Sequence, residues 1–213
     1  MVINVEVILG GEKVIVEIVR KNNKNVYFRF KDNVLVVTAN RFVSENAIKD
    51  MILQNEKSLL RMYSHVVKQS EKALQFYYLG KPYTKVFDET VKKVELDDGM
   101  IYAKNERMLE LWYKKECERV FSERINICLE DFVNIPKFSL KIRNMKTRWG
   151  VNNVTKNIIT LNSELLKKDV SLIDYVIVHE LCHFYEANHS ARFWYQVGLR
   201  YPEYKRARKY LRG

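Results

Sequence analysis

Residues 171–190 read SLIDYVIVHELCHFYEANHS and contain three of the four histidines in this 213-residue chain. The segment begins with Ser171, a residue type that commonly caps helices, and apolar residues follow at the spacing of a buried helix. We therefore predict a helix from Ser171 to about Ala187. His179 and His183 lie four residues apart, so their side chains share one face of this helix.

The spacing His-Glu-x-x-His is typical of a metal site with a hydrolytic water. Two imidazoles four residues apart can bind one ion, and Glu180 lies one position further round the helix, within reach of a bound water. Glu180 is therefore the candidate general base, and three protein ligands would leave one position open for water. We expect one divalent ion, with zinc first, although the same ligands accept nickel or cobalt.

The third ligand is expected to be His189, six residues beyond His183. A continuous helix would turn His189 away from the ion, so the helix must end before it. Asn188 tolerates the left-handed conformation that commonly ends helices, and Ser190 can cap the next helix. His189 would then lie in the turn between two helices and point back at the ion.

Other groups near the motif offer alternatives. The spacing to the third histidine matches that of the metzincins, but Glu186 replaces their glycine and no methionine follows position 145. Glu203 is a second candidate for the third ligand, and Glu186 is a weaker one. Cys182 lies off the ligand face, and we interpret it as a packing residue.

The order of predicted elements is mixed, without a βαβ rhythm, so we predict an α+β fold. The first 40 residues alternate in the manner of strands, with a hairpin at Gly10-Gly11, and Ser44 can cap a helix that runs to about Gln69. Later helices are predicted at 109–132 and from Ser190 and Glu203. Further strands are predicted at 76–79, 83–87, 91–94, 100–103, 138–142 and 158–161. We divide the chain into a β-rich N-terminal region, residues 1–104, and a catalytic region, residues 105–213.

The excess of positive charge is concentrated in residues 137–213. The net charge is +11, and residues 137–213 hold 15 Lys and Arg against 6 Asp and Glu. A basic surface attracts anions, including phosphates and nucleic acid. The basic C-terminal residues that would contact nucleic acid are Lys205, Arg206, Arg208, Lys209 and Arg212.

The three cysteines, Cys117, Cys128 and Cys182, are odd in number and scattered, which argues against a disulfide framework. The N-terminal residues lack the basic region and the cleavage site of a signal peptide. No apolar run approaches the length that spans a membrane. We therefore expect a cytoplasmic protein without membrane association.

Further segments accompany the histidine motif. They are LGKPY at 79–83, KTRWG at 146–150, IITLN at 158–162, DYVIV at 174–178, NHS at 188–190 and FW at 193–194. Together with the HELCH motif, these segments resemble the YgjP-like metal-dependent hydrolases, relatives of the SprT-like and WLM zinc metalloproteases. The resemblance extends from about Val14 to Leu211. It departs from the family at Val151-Asn152, where the family usually has Ser-Cys.

The resemblance implies a zincin-like catalytic core with an HExxH helix, preceded by a β-rich N-terminal region. It implies that His179, His183 and His189 are the metal ligands and that Glu180 is the catalytic acid and base. It therefore favours His189 over Glu203 as the third ligand.

Three functions are compatible with these features. The first is a zinc metallopeptidase, which predicts an open groove beside an edge strand able to pair with a peptide, with residues 158–161 as the candidate strand. The second is a hydrolase of a nucleotide or another phosphorylated small molecule, which predicts cations drawn from Arg143, Lys146, Arg148 and Arg192 around the site. The third is a nucleic-acid-associated protein.

Arg148 is the candidate contact for a substrate anion or an oxyanion. The alternative is that Trp149 anchors the core and that Arg148 is a surface charge.

Overall fold

A computed structural model of the chain describes residues 2–31 and 34–212. The chain forms two compact units, Met1–Leu74 and Gln75–Gly213. Six α-helices and three small sheets are found in the described residues, and each sheet contains both parallel and antiparallel pairs. The predicted α+β class is therefore confirmed. The division into a β-rich N-terminal region, residues 1–104, and a catalytic region, residues 105–213, stays a prediction.

The first unit contains one four-stranded sheet and two helices. In chain order its elements are β1 (Val2–Leu9), β2 (Glu12–Arg20), β3 (Tyr27–Lys31), β4 (Val34–Ala39), α1 (Glu45–Gln54) and α2 (Glu56–Leu74). The strands lie in the order β1-β2-β4-β3. Gly10 and Gly11 form the predicted hairpin turn with φ values of 59° and 88°, which glycine adopts without strain.

The helix predicted after Ser44 is two helices. Ser44 caps α1 as predicted, because its side chain accepts a hydrogen bond from the backbone N–H of Ala47 at 3.2 Å. The first helix ends at Gln54, and the side-chain amide of Asn55, its C-cap, donates to the carbonyl of Met51 at 2.8 Å. A side chain that bonds to nearby backbone in this way competes with helix continuation.

The second unit begins with a four-stranded sheet followed by a long helix. Its elements are β5 (Gln75–Tyr78), β6 (Lys81–Phe87), β7 (Glu95–Asp97), β8 (Met100–Ala103) and α3 (Glu106–Leu129). The predicted strand at 91–94 is wrong, because β7 begins at Glu95. Asp98 and Gly99, at φ values of 39° and 73°, form the turn that sets Asp97 opposite Met100.

A three-stranded sheet and three helices complete the second unit. They are β9 (Ser139–Arg143), β10 (Gly150–Asn153), β11 (Ile158–Asn162), α4 (Val170–Cys182), α5 (Ala191–Arg200) and α6 (Tyr204–Arg212). The predicted strand at 158–161 does not lie at the sheet edge. It forms β11, which pairs with β9 on one side and with β10 on the other, so its backbone groups are already used. The edge strands of this sheet are β10 and β9.

Helix α4 differs from its prediction at both ends. Asp169 is the N-cap, because its carboxylate accepts hydrogen bonds from the backbone N–H and the hydroxyl of Ser171, at 2.9 and 2.6 Å. Ser171, the predicted cap, therefore lies inside the helix. The helix ends at Cys182, well before the predicted Ala187.

Helix α4 is held within the core of the second unit. Ile173, Ile177 and Leu181 are fully or almost fully buried. Arg124 of α3 donates two hydrogen bonds of 2.7 Å to the carboxylate of Asp174, a paired geometry that fixes one helix against the other. In the part of the chain that the structure describes, no helix is long and apolar enough to cross a bilayer.

Candidate metal centre

The last turn of α4 and the chain that follows it carry the three histidines. His179 and Glu180 lie on the helix, and His183 is its C-cap. His189 precedes Ser190, which caps α5 by accepting a hydrogen bond from the backbone N–H of Phe193 at 3.2 Å. The predicted helix start at Ser190 and the predicted position of His189 between two helices are therefore confirmed.

The prediction for Asn188 is wrong. Asn188 is not among the left-handed residues found in the described part of the chain. The helix ends instead through tight hydrogen bonds, in which the N–H groups of Phe184 and Tyr185 donate to the carbonyls of Leu181 and Cys182, each at 3.0 Å. Hydrogen bonds between residues three positions apart satisfy the last carbonyls of a helix without a left-handed residue.

The three imidazoles converge. One ring nitrogen of each of His179, His183 and His189 lies within 4.8 Å of the others. The Nε2 atoms of His179 and His189 are 2.9 Å apart. The structure thus brings together the three histidines that were predicted as ligands, from the helix, its C-cap and the following turn.

The protonation of these rings suits a metal ion. Burial, and then the charges of the neighbouring histidines and of Arg208, lowers the pKa of His179 to about 3. Burial is also the largest cause of the lowered pKa values of His183 and His189. All three rings are therefore neutral near pH 7, which is the form that metal ions require.

The surroundings orient two of the rings in different ways. The Nδ1 of His183 donates to the carbonyl of Glu186 at 3.2 Å, which leaves Nε2 free to bind an ion. The Nδ1 of His179 is buried without a hydrogen-bond partner among the described residues. Packing orients this ring instead, because Phe193 and Trp194 lie 4.9 and 5.7 Å from it between ring centroids. The donor set therefore fits a divalent ion such as zinc.

Glu180 is buried beside the histidines and is only 5% exposed. Burial raises the pKa of its carboxyl to about 8, while a backbone hydrogen bond from Asn152 and the charge of Arg148 act in the opposite direction. The side-chain amide of Asn152 also donates to the backbone carbonyl of Glu180 at 2.7 Å. Strand β10 thus contacts both the side chain and the backbone of Glu180.

The position of Gly150 beside Glu180 was not predicted from the sequence. A Cβ atom at this position would lie 2.6 Å from Oε1 of Glu180 and 2.8 Å from its Cγ. Carbon and oxygen do not approach so closely without bonding, so only glycine lets the carboxylate rest on β10. The Trp-Gly pair at 149–150 stands out in the sequence, but nothing in the local pattern indicates a contact with Glu180.

A cavity of about 480 Å³ opens onto His179, Glu180 and His189. Arg148 lines it as predicted, and Arg208 joins it from α6. Arg212, one helical turn beyond Arg208, is also part of the lining. The other cations predicted for this site, Arg143, Lys146 and Arg192, do not line the cavity.

The alternative ligands lie apart from the histidines. Glu203 lines a different and larger cavity of about 840 Å³. Glu186 contributes its backbone carbonyl to His183, and its carboxylate lies 3.8 Å from Arg192. Cys182 is fully buried, and burial raises the pKa of its thiol to about 12, as expected of a packing residue.

Three of the five basic residues of α6 line one of the two cavities. Arg208 and Arg212 line the histidine cavity, whereas Arg206 lines the larger one. No finding supports the nucleic-acid interface that was predicted for this tail.

Comparison with known proteins gives one family. The profile of the YgjP-like metallopeptidase domain matches residues 24–213. A search of curated proteins gives no match. Among solved structures, the chain is similar to the metallopeptidase zymogen jannalysin of Methanocaldococcus jannaschii, with 23% identity, a TM-score of 0.34 and coverage of 37% of this chain and 79% of that one. The zymogen abylysin of Pyrococcus abyssi shows 23% identity, a TM-score of 0.31 and coverage of 38% and 75%.

Proposed function

Because this chain belongs to the YgjP-like metallopeptidase family, we propose that it is a metal-dependent peptidase with His179, His183 and His189 as ligands. The observation that carries the proposal is the convergence of three imidazoles beside the buried carboxyl group of Glu180. Zinc is the expected ion, since it favours imidazole ligands in sites of this kind. When bound, such an ion supplies Lewis acidity, which polarises a carbonyl group and acidifies water.

Glu180 is the proposed general base. A divalent ion bound at the histidines would favour the ionised form of this buried carboxyl group. That carboxylate accepts a proton from the water that attacks the peptide carbonyl, and it then delivers this proton to the leaving nitrogen. The absence of a side chain at Gly150 leaves room for the carboxylate against β10, the backbone of Asn152 forms a hydrogen bond with it, and Glu180 is buried. A base held in this way loses little freedom when the substrate binds.

Strand β10 is the proposed binding edge for the peptide, in place of the strand predicted from the sequence. It is one of the two edge strands of its sheet, and its residues Gly150 and Asn152 contact Glu180. An extended peptide that pairs with this edge would run past the general base. We propose that β10 and α4 together form a zincin-like core, and that Arg148 contacts the oxyanion or an anionic group of the substrate.

The test of this function is a hydrolysis assay with defined substrates. We expect the zinc-loaded protein to cleave members of a peptide panel, with fragments identified by mass spectrometry. Chelation should abolish cleavage, and added zinc should restore it, because the neutral histidines release and rebind the ion reversibly. Hydrolysis of nucleotides without cleavage of any peptide would contradict the proposal.

One observation favours a second candidate, hydrolysis of a phosphorylated small molecule such as a nucleotide. Three guanidinium groups line the histidine cavity, and guanidinium binds phosphate well. A nucleotide panel in the same assay tests this candidate directly.

Substitution of Gly150 tests the contact with the general base. We expect Gly150→Ala to lower kcat about 100-fold, because a new Cβ displaces the carboxylate and a shift of about 1 Å has effects of this order. Metal content should stay at the wild-type level, since the three atoms nearest to this Cβ position all belong to Glu180. Gly198→Ala is the matched control: its Cβ would approach only the ring of Tyr204, at 3.3 Å. Equal rates for both variants would refute the proposed position of Glu180.

A further inference from the structure

The cavity beside the histidines is strongly positive. Arg148 comes from the loop before β10, while Arg208 and Arg212 lie one turn apart on α6. None of the three forms an ion pair with any residue that the structure describes. Glu180 is the single carboxylate among the residues that line this cavity.

Aromatic contacts hold Arg208 next to the candidate metal centre. Its guanidinium lies 4.4 Å from the ring centroid of Trp194. Trp194 in turn stacks on His189, with 5.6 Å between the ring centroids and 28° between the planes. A guanidinium that is already positioned loses less freedom when it binds an anion.

The end of α6 is also fixed. The indole N–H of Trp149 donates to the backbone carbonyl of Leu211 at 2.9 Å, next to Arg212. Trp194 also stacks on Tyr204 at the start of the helix, with 5.4 Å between ring centroids. The two arginines of α6 are thus presented from a helix that is anchored at both ends.

Electrostatics favour a negatively charged ligand here. Like charges in one cavity repel each other, and a divalent ion at the histidines would add to the repulsion. An anion that enters the cavity relieves this repulsion and gains paired hydrogen bonds from guanidinium groups.

We infer that this cavity selects peptides that carry a carboxylate close to the bond to be cleaved. The carboxylate is either the side chain of Asp or Glu or the free C-terminus of the peptide, and both have the same planar shape for guanidinium. The inference rests on the proposed peptidase function, and it names the substrate class of the same site.

The test uses blocked peptides of one length, acetylated and amidated, in which a single Asp or Asn is moved through the central positions. The Asn series is repeated with a free C-terminal carboxylate. We expect kcat/KM to be at least about tenfold higher for the best Asp peptide or for the free acid than for the blocked Asn peptide. Added salt should reduce this preference. Equal kcat/KM values for all the series would overturn the inference.

A binding measurement separates this inference from the proposed function. The metal-loaded Glu180→Gln variant is titrated with the same peptides, and binding is followed by the fluorescence of Trp149 and Trp194, which line the cavity. Tighter binding of the carboxylate peptides supports the inference even where no peptide is cleaved. Cleavage of peptides without any charge preference refutes the inference but leaves the peptidase function standing. Binding and hydrolysis of ATP in place of every peptide refutes both.

Matched variants identify the groups responsible. We expect Arg208→Gln and Arg148→Gln each to reduce the preference for carboxylate about tenfold, as for loss of a charge-assisted hydrogen bond. Lys209→Gln removes the same charge from the same helix, but Lys209 does not line the cavity, so this variant should keep the preference. If Arg208→Gln and Lys209→Gln reduced the preference equally, the preference would arise from the overall positive charge of the helix and not from a binding site in the cavity. Metal content is measured for each variant, because Arg208 packs on Trp194 beside His189.

Discussion

Replacement of Glu180 with Gln lowers kcat for peptide hydrolysis by about 10²- to 10⁴-fold, the usual contribution of a general acid or base. Gln has almost the same shape as Glu, so its side chain fits in the space beside Gly150 that the carboxylate occupies. It cannot accept a proton from water. The bound metal should remain, because the side chain of Glu180 is not one of the three converging nitrogen donors. Initial rates at saturating peptide, together with metal analysis of the same samples, measure both effects.

Glu203→Gln is the matched control for this substitution. It makes the same chemical change at a carboxylate that lines the larger cavity and not the histidine cavity. We expect this variant to retain both the metal and the activity. Wild-type kcat in Glu180→Gln would mean that another group takes the proton. Loss of metal in Glu203→Gln would instead indicate that Glu203 is the third metal ligand.

Replacement of His189 with Ala removes stoichiometric metal binding and, with it, the activity. Two imidazoles remain, and an ion held by two ligands is weakly bound. The loss of affinity should exceed the 10- to 100-fold change that follows loss of an outer partner of a ligand. Competition with a chromophoric chelator measures the affinity. Thermal unfolding with and without zinc gives a second measurement, because an ion that binds only the folded state raises its stability.

His65 provides the control for this second prediction. It is the only histidine outside the cluster, and it is exposed on α2. His65→Ala should leave the metal affinity unchanged. Tight zinc binding in His189→Ala would show that the third ligand is another group, with Glu186 as the nearest alternative in sequence.

The main elements of the candidate site could be predicted from the sequence because their geometry is local. Four residues make about one turn of helix, so the spacing of His179 and His183 already implies a shared face. The six-residue gap to His189 requires the helix to stop, and the cap at Ser190 shows where the next helix begins. These inferences depend only on helix periodicity and on hydrogen bonds between near neighbours.

Local prediction was less successful where neighbouring residues compete for one role. Asp169 and Ser171 are both good caps, and the structure uses Asp169, with Ser171 as a donor to it. The end of α4 was placed too late, because hydrogen bonds within the turn after Cys182 end it without the help of Asn188. Backbone propensities alone do not rank such alternatives, since their free energies differ by little.

What the sequence determined by itself is the set of three histidines and one glutamate, because helix periodicity and capping operate over a few residues. Only the tertiary structure decided the rest of the cavity. Gly150 meets Glu180 across 30 residues of sequence, and Arg208 meets Trp194 from another helix. The position of β10 at an edge of its sheet follows from strand order. Such contacts depend on how whole elements pack, and no repeating local pattern records that packing.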